Sequence, residues 1–486
     1  MTVSTALSNA LSGLAATSRR AEIVSDNVAN ALTEGYAGRD ARLASRGVSG
    51  GVSIAEVTRR GDPEARARLR LAEATVAGEA GAADAAERLA AALGGPDEPR
   101  SLAARATALE TAFSRLADTP ESAALQADAA DAAKALANAF VSASRETQAV
   151  RGEADAAIAR LVGEANTALR EIETLNERIV TATALGGPAE RGLPALEDSR
   201  DGWIDRLGEI VPIRTARRAK GDVMVYAPGG AVLLEGRARP FGFTPVTAMT
   251  ADSTLASGAL SGLTLDGHAI DPSGRGPLRG GGLAAQFAIR DDLGTEAQTR
   301  IDSLAADLVV RFEDPAIDAS LLPGDPGLFT DAGAAFDATA QTGLGGRLAL
   351  NAAVDRATGG DPARLRDGLA AAGPRAAGDP TVPLALLGAM QADLAAPAGS
   401  GLARAGGVAS FAEGISGLAA QIAAETESRA AAAEGRRTAL SEAEAASRGV
   451  DVDAELADLL VIEQAYAANA RVVSAADELL RTLLEI

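Results

Sequence analysis

Apolar residues recur every seven positions at both ends of this chain, and that pattern constrains its fold more than any other feature. Near the start, Leu7, Leu14, Ala21 and Val28 are seven apart, with Leu11 at an intermediate position. Near the end, Val452, Leu459, Tyr466, Val473 and Leu480 repeat the spacing, with Leu456, Ala470 and Leu484 between them. Glu463 and Asp477 fall on the same intermediate positions and weaken the second stripe. Such stripes are the narrow seams of coiled coils. A helix with so thin an apolar face is marginal alone. The two ends are therefore expected to pair with each other or with neighbouring chains, although two ordinary surface helices would show the same periodicity.

The interior predicts a long helix. Thr119-Pro120-Glu121 reads as an N-cap, a proline at the first helical position and an acidic first turn. No proline follows until Pro188, after Gly186-Gly187, and Leu161, Ala165, Ala168, Ile172, Leu175 and Ile179 step by fours and threes. A helix of that length belongs to a rod. Phe411, Ile415, Leu418 and Ile422 open another, running towards Arg448-Gly449. Strand signals gather between them. Val223–Tyr226 and Ala231–Leu234 flank Pro228-Gly229-Gly230 as a hairpin, and Gly262–Leu265 leads into Asp266-Gly267, a dipeptide suited to a tight turn. Residues 314–350 read as loops or a small β piece.

The expected fold class is mainly α: a long helical rod or coiled coil formed with the N- and C-terminal regions, carrying a small β-rich insertion in the middle. Residues 1–60 form a terminal helix and turn segment that pairs with 449–486. Residues 61–209 and 276–448 form the helical rod, and 210–275 the insertion. The outer part of that insertion, 238–275, is expected to project from the rod and to be dispensable.

Chemistry gains little support. Cysteine is absent and His268 is the only histidine, which disfavours thiolate or His-based metal sites and a His-based triad. Gly47-Val48-Ser49-Gly50-Gly51 fits a nucleophile-elbow pattern, but no core strand precedes it and a strand-like Val52-Ser53-Ile54 follows it, so it reads as a loop. Asp and Glu residues mostly stand near Arg at helical spacing and read as solvated faces. Neither catalytic nor cofactor residues are expected. A net charge of −20 disfavours nucleic acid. No run of about 18 apolar residues predicts membrane insertion, and the first residues lack the features of a cleaved signal peptide.

Four segments carry a resemblance. Ser12-Gly13-Leu14-Ala15-Ala16, Ser25-Asp26-Asn27-Val28-Ala29-Asn30 and Thr33-Glu34-Gly35-Tyr36 resemble the N-terminal signature of flagellar axial proteins. Ala465-Tyr466-Ala467-Ala468-Asn469-Ala470-Arg471-Val472-Val473, continuing to Leu483-Leu484, resembles the matching C-terminal end. Leu196–Leu207 with the following hairpin, and Gly281–Asp291, resemble the flagellar hook-associated protein 1 family of the hook-filament junction. Ala37-Gly38 before Arg39 departs from that family, where Arg follows Gly-Tyr sooner.

The resemblance implies a non-enzymatic structural subunit. It would be exported by the flagellar type III apparatus without a cleaved signal peptide and would reside in the extracellular flagellum. It implies a homo-oligomeric ring at the hook tip, contacts with the flagellar hook protein and the next hook-associated protein, and a cytoplasmic export chaperone at the C-terminal helix. Leu7, Leu11, Leu14, Val28, Asn30, Gly35, Tyr36, Leu459, Tyr466, Val473 and Leu480 are the expected assembly residues, with Asn30 and Gly35 breaking the first helix where the chain turns. The competing readings are another axial protein, either the hook protein or the neighbouring junction protein, and a coiled-coil adaptor.

Overall fold

A computed structural model of the chain describes residues 3–33, 36–47, 50–95, 98–185, 192–273 and 275–484. Its spine is one helix. The helices are α1 (Val3–Ala29), α2 (Pro63–Leu93), α3 (Leu102–Asp118), α4 (Ala123–Leu185), α5 (Leu193–Ile210), α6 (Gly281–Ala288), α7 (Gly294–Phe312), α8 (Leu344–Arg347), α9 (Arg364–Asp367), α10 (Thr381–Gln391), α11 (Val408–Arg448) and α12 (Val452–Leu484). The strands β1 (Arg39–Ser45) and β2 (Val52–Arg59) form a hairpin after α1. Strands β3 (Arg214–Arg217), β4 (Val223–Tyr226), β5 (Val232–Glu235) and β6 (Arg237–Ala238) form an antiparallel meander. Strands β7 (Phe241–Gly242), β8 (Leu263–Leu265) and β9 (His268–Ile270) form a three-stranded sheet, and β10 (Phe329–Asp331) pairs with β11 (Leu348–Leu350).

With 63 residues, α4 is about 95 Å long at the usual helical rise. Each half organises its own core. The N-terminal half contributes Ala133, Leu136 and Phe140 to a core shared with α3, α7, α10 and the start of α11. Phe113, Phe312 and Phe329 stack through that core, with ring centroids 6.4 and 5.4 Å apart. The C-terminal half contributes Ile158, Val162, Leu169 and Ile172 to a second core with α5, the meander, Phe241, Leu263 and α6. Between the cores, Arg290 sits in a π-helical turn at Ile289–Leu293 and is fully buried. It pairs with Asp155 of α4 at 2.7 Å and with Asp291 at 2.8 Å.

Two expectations are corrected here. The proline at position 120 does not open α4. Thr119 ends α3, its amide donating to Arg115 O, and α4 starts at Ala123 with Ser122 Oγ accepting from the Leu125 amide. Nor does 238–275 project from the rod. Asn166 clasps the Phe241 backbone through two hydrogen bonds, Asp155 accepts from the Val246 amide, and Arg151 donates to Thr250 O. Phe241 and Leu263 share the apolar core of α4. The short strands lie along the spine because only there can their few apolar side chains find cover. The Asp266-Gly267 turn forms as read, both residues having positive φ (51° and 81°).

Candidate assembly interface

The terminal helices α1 and α12 lie antiparallel against each other. Arg20 reaches Asp458 at 2.9 Å, Asn27 reaches Glu455 at 3.1 Å, and Gly13 faces Asn469. A Cβ at Gly13 would stand 2.7 Å from the Asn469 amide group, so glycine allows this approach without moving that side chain. The hairpin β1–β2 leans on α1, where Ser12 Oγ accepts from the Val52 amide.

The face that joins the helices differs from the one periodicity suggested. On α12 the buried positions are Glu455, Ile462 and Ala476, with Leu459, Asn469, Val473 and Leu480 half-buried beside them. Tyr466, Val452 and Leu456 are exposed instead. The second seam position therefore follows each heptad residue by three, not four, and this resolves the clash with Glu463 and Asp477, which face solvent. On α1, Ala10, Gly13, Ala16, Ile23, Val24 and Asn27 are buried; Leu7, Leu14 and Val28 are half-buried and Leu11 is exposed. Small residues fill the contact, so the larger ones rotate outward. Of sixteen exposed large apolar residues among the described ones, seven stand on α12: Val452, Leu456, Leu460, Val461, Tyr466, Val472 and Leu479. So many exposed large apolar residues on one helix mark an interaction site.

Asn27, which the sequence did not single out, is the pivot beneath this surface. It is fully buried. Its Oδ1 accepts from Tyr36 Oη at 2.9 Å and from the Arg39 amide at 3.0 Å, while Nδ2 donates to Arg39 O and to Glu455. One amide thus ties α1, the turn after it, the hairpin and α12 together. Burial raises the Tyr36 hydroxyl pKa, keeping it protonated as a donor. Asn30 closes the end of α1, its side chain donating to Asp26 O and accepting from Thr33. Gly35, Val48, Ser49 and the segment 186–191 lie outside the described residues.

The hairpin meets the rod through charge. Asp198, Asp201 and Asp205 step by three and four along one face of α5. Arg39 and Arg59 of the hairpin pair with Asp198 at 2.9 and 2.7 Å, and Arg59 also reaches Asp201 at 3.0 Å. From α2, Arg66 holds Asp201 and Asp205, and Arg70 holds Asp205. Burial works against the Arg66 charge, but Asp205 and Asp201 outweigh it and raise its pKa. The sequence reading of these carboxylates as solvated faces is therefore corrected: they form a partly buried ladder between elements far apart in the chain.

No helix among the described residues is long and apolar enough to cross a membrane, and no group of three or more His, Asp or Glu among them could hold a metal ion. A cleft of about 870 Å³ lies between α2, α4, α5 and α6. Arg206 covers Trp203 there at 4.7 Å.

Three family models match the chain. The one described as flagellar hook-associated protein FlgK helical domain matches residues 87–327. That segment holds α3 to α7 and the sheets between them. Flagella basal body rod protein matches 7–36, and flagellar basal body rod FlgEFG protein C-terminal matches 446–486, the two helices that pair. The chain belongs to the flagellar hook-associated proteins. Among solved structures, the flagellar hook junction protein FlgK from Burkholderia pseudomallei is similar at 20% identity, with a TM-score of 0.43. The match spans 54% of this chain and 46% of that one, so somewhat less than half of that protein's length is represented. A comparison with curated proteins finds no match.

Proposed function

We propose that this chain is a structural subunit, not an enzyme, that joins the flagellar hook to the filament. The observation carrying the proposal is the division of its apolar surface. The rod completes its own cores, while the terminal helix pair leaves seven large apolar side chains of α12 uncovered. A helix pair with one face satisfied and the other bare suits a wall built of neighbouring copies, where each pair covers the next. In this reading the subunits form a ring at the hook tip, with the hook protein on one side and the next hook-associated protein on the other. Export follows the flagellar type III route without a cleaved signal peptide, and a cytoplasmic chaperone covers the bare face of α12 until assembly. Leu459, Tyr466, Val473 and Leu480 serve this assembly on α12, and Leu7, Leu11, Leu14 and Val28 on α1. Asn30 and Tyr36 hold the turn. The alternative of a hook protein or another axial subunit is disfavoured by the helical-domain match over 87–327.

Immunogold labelling of isolated flagella with antibody against the rod tests the proposal. Gold at the boundary of hook and filament is expected. Gold along the whole hook, or along the filament, would overturn it.

A further inference from the structure

The two cores along α4 share no residue, and they draw on the chain differently. The second takes its residues from one continuous stretch, Ile158 to Phe287. The first takes its own from both sides of that stretch, Leu93 to Ala143 and Ile301 to Ile415. The stretch is therefore an insertion: the chain enters it along α4 and leaves it through the π-helical turn into α7. Helix α2 runs past α5 and α6 but lends the second core no residue among those described. At the boundary α4 changes character. Ser144, Thr147, Arg151 and Asp155 are buried there, and only Val150 and Ala154 join Ala85, Leu89 and Ile289 in a small apolar patch. The entering and leaving helices meet at this girdle. Arg151 Nε donates to Arg290 O at 2.9 Å, Arg290 pairs with Asp155, and Gly294 lies where a Cβ would collide with the Arg151 side chain. The other Arg151 donors go to Gln148 Oε1, Thr250 O and Ser253 O.

We infer that residues 158–287 form an inserted module that unfolds and refolds without the rest of the rod, with the girdle of Arg151, Asp155 and Arg290 as its boundary. Parts of a fold open together when they bury apolar area against each other. Here that area is confined to the small patch, so opening the module leaves the first core with its own apolar cover. The charges act in the same direction. Removing one partner of a buried ion pair strands the other, but opening the module brings Arg151, Asp155 and Arg290 to water together and strands none. The two ends of the module lie side by side at the girdle, an arrangement that lets an inserted segment open without pulling its host apart. The module belongs to the rod alone and depends neither on the junction reading nor on the terminal helices.

The full chain carries its own probe. Trp203, its only tryptophan, packs against the second core, so its fluorescence in urea follows the module. Peptides from α3 and from residues 129–143 of α4 report the first core when pulsed amide exchange is read at each urea concentration. Leu169→Ala trims a side chain 1% exposed in the second core, and Leu109→Ala one 0% exposed in the first. Losses of that kind move an unfolding midpoint by about 1 M urea. Leu169→Ala should lower the Trp203 midpoint by that amount and leave the exchange of the α3 peptides unmoved. Leu109→Ala should do the reverse. Valine at either position, a smaller cut, should give the same division with a smaller shift, and it serves where an alanine variant fails to fold. Any other division, above all movement of both probes by one substitution, would overturn the proposal.

Discussion

Replacing Asn27 by Ala should loosen the terminal unit while leaving the rod intact. Asn27 supplies four hydrogen bonds in a site closed to solvent: two to the Arg39 backbone, one from Tyr36 Oη and one to Glu455. Alanine leaves the Arg39 amide and carbonyl without these partners, and a buried unsatisfied group costs about 1–3 kcal/mol. Tyr36 and Glu455 lie nearer the edge or keep another partner, since Glu455 still has Arg60 at 2.7 Å. Taking the two backbone groups and allowing water into part of the vacated space, the loss is about 3 kcal/mol. At about 1.4 kcal/mol per factor of ten, that speeds opening-limited exchange about a hundredfold. Amide hydrogen exchange followed by mass spectrometry reads the effect by segment. Peptides from α1, β1–β2 and α12 should exchange faster, and those from α3 and α4 should not change. Unchanged exchange in α1 and α12 would refute the pivot role of Asn27. Equal acceleration throughout the rod would refute the independence of the two units.

Ile462→Asp places a charge at a position only 2% exposed, at a cost of several kcal/mol; circular dichroism should lose the helical signal of α1 and α12, whereas Tyr466→Asp at an exposed site should leave the spectrum of the free chain unaltered. Arg290→Met strands Asp155 in the interior and should destabilise the rod by about 3–5 kcal/mol, while adding Asp155→Leu should recover part of the loss in thermal melts. Burial alone would raise the Asp205 carboxyl, yet Arg70 and Arg66 outweigh it and hold its pKa below the usual carboxylate range. Its stabilising contribution is therefore complete above the ordinary aspartate pKa and is lost as pH falls through the depressed folded value. Acid denaturation of Asp205→Asn should accordingly show a shallower slope in that range, and an identical slope would contradict the assignment.

Much of the scaffold was legible because helices announce themselves locally. The proline-free run before Pro188 gives α4, and the apolar seam from Phe411 gives α11, since each rests on contacts within a few turns of one helix. The Asp266-Gly267 turn was equally local. What escaped depends on partners distant in the chain. Asn27 lies in a quoted motif, but nothing in sequence says that its amide meets Arg39 and Glu455. Asp198, Asp201 and Asp205 share a helical face by spacing alone, a signal available in the sequence, but their arginines come from residues 39 to 70. The seam of α12 lies one position away from its apparent intermediate sites, because Leu456 faces solvent while Glu455, Ile462 and Ala476 are buried. In a helix pair packed through Ala and Gly, size is a poor guide to the contact face. The outer strands at 241–270 were read as an appendage because short strands carry few apolar residues; those few, Phe241 and Leu263, are buried on α4.

The central claim is that the bare face of α12 joins this subunit to the flagellum. Electron microscopy of a strain whose only copy carries Leu460→Asp with Tyr466→Asp tests it, with secretion of the chain measured alongside. Both residues are more than two-fifths exposed in the free chain, so the subunit should fold. The account predicts hooks without filaments, with flagellin in the medium. Filaments of normal number and length would contradict it.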